Sequence, residues 1–188
     1  MNINMEHKNI VATIYLKDGK AIKARDNYEE YPDVIELAKL YNDSGIDKIL
    51  IYDLSTEDEE HELNIHTIKE LNRLLEIPLC AGGNINRLED VKKLIYAGCA
   101  KVVLNFAKDS NVELLGEVSR RFGREKMLVC ISSSEEYNDH REQIHEFASG
   151  ILALDAVPKM EETSSLPVIL HTAVSYTHLR AHETRHDL

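Results

Sequence analysis

The chain of 188 residues, 43% of them hydrophobic and 29% charged, is long enough for one domain with a substantial core. Its formal net charge of −11 argues against nucleic acid or an anionic membrane surface as the main partner. No apolar run reaches the about 18 residues that span a bilayer, and the first residues lack the apolar stretch of a secretory signal. The three cysteines, Cys80, Cys99 and Cys130, are an odd count without paired spacing and fit reduced, buried thiols, so we expect a cytoplasmic protein.

The first part of the chain alternates strand and helix patterns. Residues 10–16 are rich in β-branched residues and end at the turn Lys17-Asp18-Gly19, and residues 20–24 are predicted to pair with them as a hairpin. Residues 32–41 carry an apolar stripe at helical spacing, with Pro32 suited to the first turn. Residues 48–54 are nearly continuously apolar, which is typical of a strand buried on both faces of a parallel sheet.

The same unit then recurs. The patterns predict helices at 62–75, 87–96, 112–122 and 136–148, and strands at 77–81, 101–106, 126–132, 151–155 and 166–171. The acidic run at 57–60 is predicted as a solvated loop, and the link at 156–165 is too short for an ordinary crossover helix.

Strands that alternate with helices in this way predict a parallel α/β protein, whose sheet is either open and doubly wound or closed into a barrel. No Gly-x-Gly-x-x-Gly motif follows the first strand, which weakens the dinucleotide-binding form of the open sheet. The spacing of the units favours a (β/α)8 TIM barrel that is incomplete, with about six to seven strands present.

A glycine pair, Gly82-Gly83, stands between the strand at 77–81 and the next helix. A backbone without side chains lets a bulky anion approach the amide N–H groups, so the pair is a candidate phosphate site. A tight turn explains the same two glycines without any ligand. Both interpretations stay open at this level.

The last residues have a different character. Residues 174–184 resemble the in-frame translation of an adapter used in preparing sequencing libraries, so we expect a partial barrel domain at 1–173 and a non-native tail at 174–188. His178, His182 and His186 have the spacing of a helical metal site, but this spacing belongs to the adapter-like segment. His61 and His66, five residues apart, are poorly placed on one helical face. We therefore predict no metal site.

Several segments match one enzyme family in order and spacing over roughly the first 110 residues: 16–23, 34–42, 45–53, 77–85 and 89–105. They resemble the paired barrel enzymes of histidine biosynthesis, the cyclase subunit of imidazole glycerol phosphate synthase and the phosphoribosylformimino-aminoimidazole carboxamide ribotide isomerase. The resemblance implies a TIM barrel, a phosphoribosyl ligand and no cofactor.

The resemblance also assigns catalytic positions. In the family, two aspartates at the ends of the first and fifth strands act as general acid and base, a role that suits paired carboxylates across a barrel mouth. This chain has Tyr15 at the first position and Ser132, in Val129-Cys-Ile-Ser132, at the second. Neither side chain titrates near neutral pH without help, so no catalytic residue is assigned.

The chain matches more of the family's ligand-binding residues than of its catalytic residues. The residues that match it are Gly82, Gly83, Asn84 (where the family has a third glycine), Asn105, Asp53 and Lys17. Each has a structural alternative: Asp53 as a cap of the following loop, and Lys17 as a solvated or paired lysine.

Two hypotheses follow. In the favoured one, the barrel binds a phosphoribosyl ligand, is catalytically degenerate, and is the N-terminal module of a polypeptide fused to phosphoribosyl-AMP cyclohydrolase and phosphoribosyl-ATP pyrophosphatase domains. In the alternative, it is an active cyclase-type lyase or isomerase-type enzyme of histidine biosynthesis. Both predict fused or associated enzymes of that pathway as partners, and neither requires nucleic acid or a membrane.

Overall fold

The computed structural model describes residues 10–24, 27–154 and 168–171, and its centre is one sheet of nine strands within these ranges. The strands are β1 Val11–Lys17, β2 Lys20–Ala24, β3 Asn27–Glu30, β4 Lys48–Asp53, β5 Leu79–Gly82, β6 Lys101–Asn105, β7 Met127–Ile131, β8 Gly150–Leu154 and β9 Val168–His171. Their spatial order is β3-β2-β1-β4-β5-β6-β7-β8-β9. The link at 156–165 and the adapter-like tail lie outside the described residues.

Five helices and one short 3-10 turn join the strands of the described ranges. They are α1 Val34–Asp43, α2 Asp58–Leu74, α3 Leu88–Tyr96, α4 Asp109–Phe122, the 3-10 turn Arg124–Lys126, and α5 Ser134–Phe147. Strand β1 and strands β4 to β9 are parallel neighbours in chain order, and β1-β2-β3 form an antiparallel hairpin extension. The prediction of an incomplete (β/α)8 barrel is confirmed.

Both faces of the central strands are buried. The main core lies between strands and helices and contains Ile49 and Ile51 of β4. The opposite, barrel-interior face buries a second cluster with these members: Leu50, Cys80, Val103, Leu128, Cys130 and Leu152. The apolar run at 48–54 was predicted for a doubly buried strand, and that prediction is confirmed. No helix in the described ranges is both long and apolar enough to cross a membrane.

The structure corrects two local predictions and adds one strand that was not predicted. The acidic run at 57–60 is not a loop, because Asp58 begins α2; carboxylates in a first turn interact favourably with the helix N-terminus, and Glu60 accepts a hydrogen bond from the Thr56 backbone N–H over 3.0 Å. Pro32 precedes α1 rather than forming its first turn. Strand β3 was not predicted, because its residues are all exposed and show no apolar alternation.

Asp33 caps α1, and removing its carboxylate has a measurable consequence. Its Oδ1 accepts the backbone N–H groups of Ile35 over 2.7 Å and Glu36 over 3.4 Å. We expect Asp33→Ala to lower the free energy of unfolding by about 0.5–2 kcal/mol, because donors at the helix start lose their acceptor. Urea denaturation measures this loss. Lys39→Ala, at an exposed position of the same helix, is the control, and an equal loss in both variants would contradict the capping role.

Candidate functional site

The carboxyl ends of the parallel strands meet at one edge of the sheet, where ligands of α/β barrels bind. The register places Tyr15 beside Tyr52 and Tyr52 beside Gly82. The rings of Tyr15 and Tyr52 meet edge to face, with centroids 6.4 Å apart. At the position where the resemblance expects an aspartate, β1 therefore presents an aromatic ring packed on its neighbour.

Ser132, the residue at the second expected aspartate position, follows β7 directly and contacts a carboxylate. Its backbone N–H donates to Glu136 Oε2 over 2.6 Å, and its hydroxyl donates to the same oxygen over 3.1 Å. Glu136 lies in the first turn of α5, whose N-cap is Ser133. An acidic group thus stands at the end of β7, held by the helix that follows.

Asn105 and Lys17 lie at the same edge, at the ends of β6 and β1. Asn105 Oδ1 accepts the Ala107 backbone N–H over 3.0 Å, which forms a tight turn after the strand. The ammonium of Lys17 lies 5.5 Å from the ring centroid of Tyr28, a cation–π contact. The structure therefore places both residues near the barrel mouth, each with a structural contact of its own.

Asp53 ends β4 on the face that packs against α2. It is 4% exposed and accepts three hydrogen bonds: from the Ser55 backbone N–H over 2.8 Å, from Asn64 Nδ2 over 2.6 Å, and from His61 Nδ1 over 2.5 Å. Because a carboxylate can only accept here, Nδ1 carries the proton of the imidazole. The loop-capping alternative for Asp53 accounts for the first of these bonds.

The glycine pair is explained by close packing against the neighbouring strands β6 and β4. A Cβ on Gly82 would lie 2.9 Å from Val103 Cβ, and a Cβ on Gly83 would lie 2.8 Å from the Asp53 backbone N and closer still to its carbonyl oxygen. Gly83 also has φ +88° and Asn84 has φ +49°. The 82–84 turn (Gly82, Gly83 and Asn84) thus needs glycine for its own geometry. Glycine turns of this kind are also where anions bind backbone amides in other proteins.

A cleft of about 240 Å³ opens beside this turn, and its lining residues are Asp58, His61, Asn84, Asn86, Arg87 and Asp90. Asp90 is buried and accepts the backbone N–H groups of Asn86 and Arg87 at the start of α3, over 2.9 and 3.1 Å. His61 is 5% exposed, and its Nε2 has no hydrogen-bond partner in the described part of the chain. In the described ranges, no three or more His, Cys, Asp or Glu side chains are grouped to hold a metal ion.

The hydrogen bond to Asp53 raises the pKa of His61 above its ordinary value, and the charges of Asp53 and Asp90 act in the same direction against burial. Burial raises the pKa of the Cys99 thiol to about 12, so this thiol is not a nucleophile at neutral pH.

The sequence interpretation missed His61, Asn64 and Asp90. A signal was available: His61 and Asn64 extend the buried stripe of α2 that continues through Ile68 and Leu71. Polar residues on such a stripe need buried partners, and Asp53 was the nearest strand-end acceptor.

Comparison with known proteins identifies the family of this chain. A family model described as "Histidine biosynthesis protein" matches residues 9–176. The chain belongs to this family. It is 33% identical over 134 residues to the imidazole glycerol phosphate synthase subunit HisF of Parabacteroides distasonis, which covers 70% of this chain and 53% of that protein.

Other relatives carry the same name. The subunit HisF of Campylobacter lari is 30% identical over 134 residues, covering 70% of this chain and 52% of that protein. The subunit HisF of Stenotrophomonas maltophilia is 29% identical over 157 residues, covering 82% and 60%. The chain thus spans about half the length of the curated relatives it matches. Its membership of the histidine biosynthesis family and its likeness to imidazole glycerol phosphate synthase subunits confirm the resemblance drawn from the sequence.

Proposed function

We propose that this barrel binds a phosphoribosyl compound of histidine biosynthesis and has lost most of the catalytic power of its family. The observation that carries the proposal is the pair of strand ends at Tyr15 and Ser132. Neither bears the carboxylate that the family resemblance expects, and Tyr15 instead packs on Tyr52. Without paired proton carriers across the mouth, ligand binding is better supported than turnover.

The candidate phosphate site is the 82–84 turn. It lies at the carboxyl edge of β5, next to the cleft and beside the N-terminus of α3, whose dipole favours negative charge nearby. The other ligand-binding residues proposed from the sequence lie at the ends of three strands: Asn105 on β6, Asp53 on β4 and Lys17 on β1. Asp53 would act there through the loop that it caps, because its carboxylate is already occupied.

An active cyclase-type enzyme is the second candidate, and two observations favour it. The relatives are named as subunits of imidazole glycerol phosphate synthase. In addition, the Glu136 carboxylate is bonded to Ser132 at the end of β7. Glu136 would then supply the acidic group that position 132 lacks, while Tyr15 leaves the first-strand position without one.

We further propose that the domain covers residues 1–173 and works with other enzymes of the pathway, either as associated subunits or fused ahead of phosphoribosyl-AMP cyclohydrolase and phosphoribosyl-ATP pyrophosphatase domains. A cytoplasmic location is supported by three cysteines that are buried and not paired in disulfides. The uninterrupted gene tests the fusion. A reading frame that stops after one barrel, at about 250 residues, contradicts it.

Ribose 5-phosphate is the minimal probe for the binding claim. We expect calorimetric titration of the full protein to detect it, and Asn84→Asp to weaken binding about tenfold or more, because a carboxylate at the turn repels the phosphate. Gln143→Glu, the same kind of change at an exposed site on α5, should leave the Kd unchanged. Ribose without phosphate should not bind measurably.

The binding claim is wrong if ribose 5-phosphate and ribose give the same heats. It is equally contradicted if Asn84→Asp and Gln143→Glu bind with one Kd, because the phosphate would then lie away from the 82–84 turn.

A further inference from the structure

A series of hydrogen bonds runs around the cleft from Asp53 to Asp90. The Ser55 backbone N–H donates to Asp53 Oδ1 over 2.8 Å, and the Ser55 hydroxyl accepts from Asn84 Nδ2 over 2.9 Å. Asn84 Oδ1 accepts from Asn86 Nδ2 over 3.2 Å, and the Asn86 backbone N–H donates to Asp90 Oδ2 over 2.9 Å. The loops after β4 and β5 are thereby tied to the start of α3.

His61 is bonded to one end of this series, Asp53, and lies near the other end, Asp90, without a hydrogen bond to it. Its Nδ1 donates to Asp53 Oδ2 over 2.5 Å, while its Nε2 lies 4.0 Å from Asp90 Oδ1. That nitrogen is buried and has no hydrogen-bond partner in the described ranges. A neutral imidazole leaves Nε2 as an unpaired acceptor facing a carboxylate, which is unfavourable. A proton on Nε2 turns it into a charged donor toward Asp90.

We propose that protonation of His61 at Nε2 adds a hydrogen bond to Asp90 and so closes a ring of hydrogen bonds, whose members are Asp53, Ser55, Asn84, Asn86, Asp90 and His61. The closed ring holds the 82–84 turn in place, which makes His61 a pH-sensitive positioning residue for this turn. The device needs no ligand and stands apart from the proposed phosphoribosyl binding. Asn84 connects the hydrogen bonds around His61 to the 82–84 turn, because its side chain bonds both Ser55 and Asn86.

The charges around His61 favour the protonated form. The groups that face or flank it from β4, α2 and α3 are the acidic Asp53, Asp58, Glu62 and Asp90 and the basic Arg87 and Lys93. Lys93 is engaged by Glu62, and Arg87 is an exposed side chain that contacts Asp90 through Nε over 3.4 Å. The two carboxylates nearest the imidazole are both 4% exposed, where water screens them little.

The direction of the pH dependence follows from linkage. The folded protein raises the pKa of His61, because Asp53 accepts its hydrogen bond. A group whose folded pKa is raised binds its proton more tightly in the native state. Its stabilisation is complete below the ordinary histidine pKa of about 6.5, and it is lost as the pH rises through the folded pKa.

NMR titration of the full, 15N-labelled protein tests this directly. We expect the His61 imidazole to titrate above the ordinary histidine pKa. His66, an exposed histidine five residues further along α2, provides the matched control variant. The side-chain amide signals of Asn84 and Asn86 should shift with the His61 midpoint, since they belong to the same ring. Asp90→Asn should lower the His61 midpoint, because the Asp90 charge raises the His61 pKa.

Two outcomes overturn the proposal. One is a His61 midpoint at or below the ordinary histidine pKa of about 6.5. The other is a pair of Asn84 and Asn86 amide signals that do not follow His61. His61→Gln, compared with His66→Gln, adds a stability test: only the first should abolish the extra stability of the wild type at low pH. If His61→Gln does not fold, the wild-type titration still decides. Ribose 5-phosphate is absent from every sample, so failure here leaves the binding proposal standing.

Discussion

Gly83→Ala is expected to destabilise the protein far more than Gly45→Ala, although both glycines have positive φ, +88° and +76°. A left-handed backbone costs an alanine about 1–2 kcal/mol at either site. At Gly45 the new Cβ meets nothing within 4 Å, whereas at Gly83 it would lie 2.8 Å from the Asp53 backbone N. Overpacking adds about 1–3 kcal/mol, so we expect a total loss of roughly 2–5 kcal/mol at Gly83.

Urea denaturation of the two variants measures the difference, with Gly45→Ala as the matched control for backbone strain. Equal losses would mean that the 82–84 turn can move away from β4, and the close approach of the two backbones would then not be what fixes glycine there. A large difference would assign Gly83 to packing. The case for a phosphate site would then depend on the Asn84→Asp titration rather than on the glycine itself.

Much of the fold could be predicted from the sequence, because local pattern and tertiary environment agree in the repeating units. The continuous apolar run of β4 is buried on both faces, and the stripes of α1 to α5 face one core. Where local preferences and the tertiary environment agree in this way, an element can be predicted from its sequence pattern. The hairpin at residues 20–24 was also predicted, since a turn follows β1 directly.

Other features depend on contacts that the sequence does not display. Strand β3 has four exposed residues and pairs with β2 through its backbone and through ion pairs such as Lys23 with Glu29 over 2.6 Å. The start of α2 was placed too late because a run of carboxylates is common to solvated loops and to first helical turns. In both cases the same residue types fit two local structures, and tertiary context decides.

The candidate site shows the same division. Its residues at strand ends, Asp53, Asn105 and Ser132, follow from the strand pattern. The partners of Asp53 do not, since His61 and Asn64 come from α2 and only the packing of that helix brings them to the carboxylate. The bond from the Glu136 backbone N–H to the Ser133 hydroxyl was within reach of the sequence, because a serine N-cap followed three residues later by glutamate is a common helix start. The bonds of the Glu136 carboxylate to Ser132, one residue before the cap, were not.

The wild-type protein is expected to convert the histidine-pathway intermediate at least about 10³-fold more slowly than a barrel that keeps both carboxylates. A positioned general acid or base contributes about 10²–10⁴-fold, and the family resemblance puts Tyr15 and Ser132 at the positions of two such groups. Side-by-side kinetics with the subunit from Parabacteroides distasonis, which is 33% identical over 134 residues, measure the ratio. Comparable kcat values would refute the degenerate barrel that we propose.

Comparable kcat values would make Glu136 the candidate proton carrier, because its carboxylate accepts hydrogen bonds from Ser132. If Glu136 supplies the missing acid or base, Glu136→Gln should lower kcat by about 10² or more and remove one limb of the pH–rate profile. Glu135→Gln, at the exposed neighbouring position, should change neither. A variant that loses only helix-cap stability, about 1 kcal/mol by denaturation, while kcat is kept, would restrict Glu136 to capping α5. Turnover by the wild type would then require a proton carrier other than the group at the end of β7.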